Sequence, residues 1–207
     1  MKRRFYVDGF ILWRFSLFSH RKTNPGMGFR RLLIDLSRDM IDIMILKPRV
    51  YLETTVPSYL TGWPSRDIVR AAHQRITQEW WGRRHEYELF ISQLVVRECQ
   101  SGDPQAAATR LAALEGLPLL EQNDMVMTLA RSLREQVPMP ERATADALHI
   151  ATATAHGMDY LLSWNCAHIA NATLRGRIEM VCRNSGYEPP VICTPEALRG
   201  GYDDDRG

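Results

Sequence analysis

Short, continuously apolar segments alternate with helical patterns along this chain, and they constrain its fold more than any other feature. Leu89-Phe90-Ile91 and Tyr160-Leu161-Leu162 carry no polar alternation, and such runs suit strands covered on both faces. Strands are expected over 49–53, 86–92, 117–120, 159–164 and 191–194. Helices are expected over 66–84, 93–101, 103–114, 123–136, 141–156 and 167–184. Ser65, Asp103 with Pro104, and Asn123 or Asp124 supply N-cap signals, and Gly157 supplies a helix stop. Residues 54–58 read as a turn. Val69, Ala72, Ile76 and Trp80 mark the expected buried face of the 66–84 helix, and Met127, Ala130 and Leu133 that of 123–136. Helices between short apolar strands predict a three-layer α/β/α sandwich around a parallel sheet.

The 207 residues suffice for one domain with a core and an appendage. Residues 1–43 do not share the strand–helix pattern. They hold nine Lys/Arg against four Asp/Glu, a net charge of +5, whereas residues 44–207 hold 17 against 20, a net of −3. The 1–43 stretch reads as a loosely ordered basic extension, 44–200 as the folded domain, and 201–207, with Asp203-Asp204-Asp205, as an acidic tail. A translation start at Met44 would equally explain the step. Met1-Lys2-Arg3-Arg4 before an apolar stretch is a faint export signal, because Asp8 and Arg14 interrupt it and no small-residue cleavage site follows. No apolar run reaches the roughly 18 residues of a membrane-spanning helix. The four cysteines form no CxxC pair, so reduced thiols in a cytoplasm are expected. The mild acidity of the main body offers nucleic acid no general attraction, so any such contact must come from local arginines.

Ligands of parallel sheets gather at the carboxyl ends of strands. Glu53 ends the first expected strand and Asn165 follows the 159–164 strand. Glu98 and Asp146 lie on helices that can deliver carboxylates to the same edge. In 141–156, Ala147, Ile150, Ala151 and Thr154 form a packed face with Asp146 at its border. A carboxylate there is costly to bury unless it is paired or bound to metal; the ordinary alternative is an acid on a solvated helix edge.

Four short motifs follow in order: Glu53-Thr54 after a strand, Val95-Val96-Arg97-Glu98, Ala145-Asp146-Ala147 and Ser163-Trp164-Asn165. Together they resemble the four acidic-site motifs of PIN-domain ribonucleases, a family that includes the VapC toxins of type II toxin–antitoxin systems. The resemblance spans about 50–198. The family usually has Asp where this chain has Glu53 and Asn165, and some members share its Tyr-Leu-Glu-Thr start and Trp-Asn pair. The resemblance implies a parallel-stranded α/β/α sandwich and an endoribonuclease dependent on Mg²⁺ (or Mn²⁺). It implies RNA as substrate, a cognate antitoxin as partner, a homodimer, a cytoplasmic location and no membrane. Glu53, Glu98, Asp146 and Asn165 are then the catalytic and metal-binding residues, with Thr54 and Ser163 in support. Such hard cations prefer oxygen ligands, and they activate water for in-line attack on phosphorus.

Arg83, Arg84, Arg97, Arg175 and Arg177 are the candidates for phosphate contacts, each with a solvated surface charge as its ordinary reading. Trp80, Trp81 and Trp164 are candidates for base stacking, although Trp80 also fits the core. His149, three residues from Asp146, reads as a packed, hydrogen-bonded histidine, and His168 as a phosphate ligand or a helix cap. Thr54 and Ser163 also suit purely local hydrogen bonds. Two competing expectations remain: a catalytically silent RNA-binding PIN module in which Glu53 and Asn165 weaken the metal site, and an unrelated α/β domain.

Overall fold

The computed structural model describes residues 5–7, 10–12, 47–140 and 143–198. The chain divides into two compact units, Met1–Leu46 and Lys47–Gly207, close to the boundary expected from charge. In the first, β1 (Phe5–Val7) pairs antiparallel with β2 (Phe10–Leu12). The rest of the expected 1–43 extension and the 201–207 tail lie outside the described residues.

The second unit runs β3 (Arg49–Leu52), α1 (Thr55–Thr61), α2 (Ile68–Gly82), β4 (Glu88–Ser92), α3 (Gln93–Cys99), α4 (Pro104–Ala113), β5 (Leu119–Leu120), α5 (Asp124–Gln136), α6 (Thr144–Ala155), β6 (Tyr160–Leu162), α7 (Ala172–Asn184) and β7 (Val191–Cys193). Its five strands pair in parallel in the order β5-β4-β3-β6-β7. From the first strand, β4 and β5 step one way and β6 and β7 the other. Right-handed crossovers then put α1–α4 on one face and α5–α7 on the other. In keeping with that, α1 packs on α2 and α4, and α5 packs on α6 and α7. The result is the expected three-layer α/β/α sandwich. Consecutive residues Val50, Tyr51 and Leu52, and likewise Leu161 and Leu162, are fully buried, as a sheet covered on both faces requires.

Several local expectations give way to packing. Residues 54–58 do not turn; they open the helix α1. Pro57 is tolerated because it sits in the first turn, where its missing N–H has no partner to lose. Ser65 does not cap α2. Asp67 does, accepting from Arg70 N at 2.8 Å. The buried face of α2 holds Trp80, as expected, together with the polar Thr77, and His73 is half-buried beside them. The His73 ring stacks on Trp164 at 4.0 Å between centroids, and Thr77 Oγ1 accepts from Trp164 Nε1 at 2.8 Å. Val69 and Ala72 are consequently turned out to solvent, and Ile76 is only half-buried. On α5 the inward residues are Val126, Leu129, Ala130 and Leu133, and Met127 points outward. The expected 86–92 strand starts at Glu88 because Arg84–Glu86 forms a 3-10 turn. The expected 167–184 helix starts at Ala172, where Asn171 caps Thr173 N at 2.9 Å.

Gly157 ends α6 at a φ of 63°, a left-handed conformation that favours glycine. All four cysteines are free, three of them buried. Among the described residues no helix is long and apolar enough to cross a membrane.

Among the described residues, the five-stranded sheet and its helices belong to the second unit. Deleting residues 1–43 is therefore expected to leave the far-UV circular dichroism of the remainder and its melting temperature essentially unchanged. A truncated protein that is insoluble, or that melts far lower than the full chain, would make the extension part of the core.

Candidate metal centre

The strand order reverses around β3, and in open parallel sheets a ligand crevice forms outside the carboxyl ends of the strands at such a point. Glu53 directly follows β3, and its N–H extends the ladder to Leu162 O at 3.0 Å. Ser163 directly follows β6. The helix α3, which starts without a linker after β4, carries Glu98. Three strand ends therefore deliver functional side chains to one edge, with no long loop involved.

Glu53 is 5% exposed, so its carboxylate needs donors. Its Oε2 accepts from Thr55 N at 3.1 Å, from Thr55 Oγ1 at 2.5 Å and from Ser163 Oγ at 2.8 Å. Both hydroxyls also accept: Thr55 Oγ1 from Trp164 N at 2.8 Å, and Ser163 Oγ from Asn165 N at 2.9 Å. The glutamate's extra methylene, relative to aspartate, lets it curl onto the first turn of α1, whose free N–H groups favour an anion. Its Oε1 accepts no hydrogen bond among the described residues.

Glu98 is held in the same way. Its Oε2 accepts from Thr54 Oγ1 and from His149 Nε2, the latter at 3.0 Å. His149 is buried, and its Nδ1 lies 2.8 Å from Tyr51 Oη, which also bonds Ser92 Oγ at 2.7 Å. Burial raises the pKa of Tyr51 far above the usual phenol range. Burial also opposes ionisation of Glu98, but the hydrogen bond and attraction of His149, the Thr54 hydroxyl and Arg97 outweigh it, and the Glu98 carboxyl titrates below its ordinary value. An ionised carboxylate only accepts, so His149 Nε2 is the donor.

Asp146 sits in the first turn of α6. Its Oδ1 accepts from Asn165 Nδ2 at 2.9 Å, and its Oδ2 lies 2.7 Å from His168 Nδ1. Asn165 Oδ1 in turn accepts from His168 N at 3.1 Å. A backbone N–H can only donate, so this bond fixes which end of the amide is oxygen. Asn165, the expected neutral oxygen ligand, positions Asp146 through its amide nitrogen, while its Oδ1 accepts a single bond.

Ligand atoms of Glu53, Glu98 and His149 lie within 4.8 Å of one another. Asp146 stands outside this group, tied to it through Asn165 N, Ser163 Oγ and Glu53 Oε2. Because His149 Nε2 donates to Glu98, the atoms left to meet a cation are the second oxygens of the two glutamates. Carboxylate oxygens of this kind could hold a hard divalent ion, which keeps several waters of its own.

The arginines are dispersed. Arg83 pairs with Glu86 at 2.8 Å and Arg84 lies over the Trp81 ring at 5.2 Å. Both precede β4 and so lie at the amino edge of the sheet, opposite the carboxylates. Arg97 adjoins Glu98 and donates to Gln122 Oε1 at 3.2 Å. Arg175 donates to Ile192 O, and Arg177 Nε to Gln136 O at 2.9 Å. Trp80 and Trp164 are buried and Trp81 half-buried, so none of them offers an open ring face. His168 and Thr55 hold site carboxylates that sequence reasoning did not assign to them. For Thr55 a signal existed, since a hydroxyl two residues after a strand-end acid can reach back to it. Searches against protein-family models, curated proteins and solved structures return no match for this chain.

Two outcomes are expected. Asn165→Asp sets two carboxylates face to face in place of a charge-assisted bond worth about 1.5–3 kcal/mol. In chelator the variant should melt roughly 5 °C lower, and Mn²⁺ should recover most of the deficit; an unchanged melting temperature in chelator would contradict the Asp146 contact. The second concerns pH. The folded-state pKa of Glu98 is depressed, so its stabilisation is complete above the unfolded value and is lost as pH falls through the folded one. In chelator, Glu98→Gln should therefore lower stability at neutral pH and flatten the acid-side decline below about pH 4, read from melting curves at successive pH values.

Proposed function

We propose that this domain is a Mg²⁺- or Mn²⁺-dependent endoribonuclease that hydrolyses RNA phosphodiester bonds. The observation that supports it best is the pairing of Glu53 and Glu98 at the reversal of strand order. Each is tethered through Oε2, which leaves Oε1 for a ligand. The ordered resemblance of Glu53, Glu98, Asp146 and Asn165 to PIN-domain motifs gives the reading its substrate class.

In this reading Glu53 and Glu98 hold the ion, and Asp146 adds a third negative charge. When bound, a divalent ion supplies the positive field that acidifies a coordinated water and draws charge from a phosphoryl oxygen. Thr54 and His149 keep Glu98 in place, and Thr55 and Ser163 keep Glu53 in place. Asn165 and His168 orient Asp146. The further reading, a toxin restrained by a cognate antitoxin and acting as a homodimer, rests on the resemblance alone. Co-purification with the product of a neighbouring reading frame tests it.

A second reading has its own observation. Asp146 is turned toward Asn165 and His168 and lies outside the Glu53, Glu98 and His149 group, which favours a catalytically silent RNA-binding module. Cleavage of a mixed RNA by metal-stripped protein, with and without added Mn²⁺, separates the two. The nuclease reading expects Mn²⁺-dependent cleavage that Glu98→Gln and Asp146→Asn abolish. His149→Phe, which removes a partner behind a ligand, should reduce it about 10–100-fold. Equal cleavage by wild type and Asp146→Asn would assign the activity to a contaminant. RNA binding in chelator with no cleavage under any metal would favour the silent module.

A further inference from the structure

Trp63 is 77% exposed, whereas Trp80, Trp81 and Trp164 are partly or wholly buried. Its position is built. Gln74 Nε2 donates to Trp63 O at 2.8 Å and to Gly62 O at 3.1 Å, while Gln74 Oε1 accepts from Ser65 N at 2.9 Å. A Cβ on residue 62 would stand 2.9 Å from Ser58 O and 3.0 Å from Gln74 Nε2, so only glycine lets the loop close this tightly on α1. Pro64 restricts the chain immediately after the indole. One glutamine therefore staples a short loop that presents a large aromatic ring to water.

The ring borders a cavity of about 260 Å³ whose other walls include Ser58, Tyr59, Ser65, Arg70 and Gln74. Arg70 uses its backbone N–H to complete the α2 cap, and among the described residues its guanidinium has no ion-pair or hydrogen-bond partner. An aromatic plane, an unpaired guanidinium and the hydroxyls of Ser58, Tyr59 and Ser65 match the parts of a nucleotide: a base to stack, a phosphate to pair, and polar edges to bond. Helix α1 runs between the cavity and the carboxylates. Thr54 and Thr55, at the start of α1, hold Glu98 and Glu53; Ser58, Tyr59 and Gly62 lie along the rest of the same helix and at its end. The rise from residue 54 to 62 is about 12 Å, a span of a few nucleotides. Tyr59 also lies edge-on to Trp164 at 6.0 Å, next to Asn165.

We propose that the Trp63–Arg70 cavity is a subsite for a nucleotide of single-stranded RNA flanking the bond to be cut, with Trp63 stacking its base and Arg70 pairing its phosphate. The proposal rests on the ribonuclease reading for the nature of the ligand. A duplex keeps its bases stacked on one another, so only an unpaired strand presents a base face to the indole.

The test measures binding in chelator and cleavage in Mn²⁺ for wild type, Trp63→Ala, Trp63→Phe, Arg70→Gln and the control Val69→Ser, which lies outside the cavity. The probe is a fluorescent oligouridine long enough to pass both ends of α1. Trp63→Ala is expected to weaken binding about tenfold or more, with Trp63→Phe largely restoring it. Arg70→Gln is expected to lower the slope of log affinity against log salt by about 0.7. Both losses should appear mainly in KM, and Val69→Ser should match wild type. Unchanged melting temperatures would separate these effects from misfolding. If wild type cleaves and both Trp63→Ala and Arg70→Gln bind and cleave like it, the subsite is overturned and the ribonuclease reading stands. If nothing cleaves but binding depends on Trp63 and Arg70, the cavity stands as a nucleotide-binding site with no bond cut beside it, and the ribonuclease reading fails. If wild type neither binds nor cleaves RNA, both fall.

Discussion

Burial of the Glu53 carboxylate is the constraint around which the domain's functional edge is arranged. A carboxylate 5% exposed at the end of a central strand is tolerable only with donors close by. They come from two directions: the first turn of α1 through Thr55, and the end of β6 through Ser163. Each hydroxyl is then used twice, donating to the acid and accepting from the backbone of Trp164 or Asn165. The acid thereby sets the path of residues 163–165, which in turn sets Asn165 and, through it, Asp146. Removing Glu53 would leave two hydroxyls without their acceptor and loosen the segment that carries the other half of the site.

The parallel sheet explains why so few residues suffice. Because β3 is the first strand and lies in the middle, its neighbours diverge and their following segments part above it. Glu53, Thr54 and Thr55 are adjacent in sequence, yet they reach both glutamates, because the chain bends from strand to helix at that point. Glu98 needs a separate support behind it, and the His149–Tyr51–Ser92 chain provides one from the interior of the sheet. That chain places buried polar groups in an otherwise apolar layer, each of them met by a partner.

The layered fold was legible because it depends on local pattern: apolar strand cores, caps at Asp103 and Asn123, and a glycine after α6. Glu53, Glu98, Asp146 and Asn165 were legible as residue types in order. Their connections were not. His149 looks in sequence like a neighbour of Asp146, but its partner is Glu98, 51 positions away. His168 was weighed against phosphate and capping, and it pairs with Asp146 across 22 positions. On α2 periodicity found Trp80 but misjudged Val69 and Ala72. Val69 and Ala72 obey the apolar spacing, but the indole N–H of Trp164 needs an acceptor and its ring needs a flat partner. Thr77 and His73 meet those needs, so the polar side of the helix faces inward. A demand made by one residue nearly 90 positions away leaves no trace in a local window.

Long-range assembly of the charged edge has a consequence for synthesis. Ser163, a donor to Glu53, is 110 positions downstream, and at ordinary elongation rates it is made about 5–20 s later. Until then a nascent chain carries both glutamates without Ser163, and for much of that time without His149, at an edge whose β6 neighbour does not yet exist. Contacts of such separation form late and slowly. A chain interrupted before β6 is therefore not a smaller version of the finished protein. It has the acids but not the frame that holds them in place.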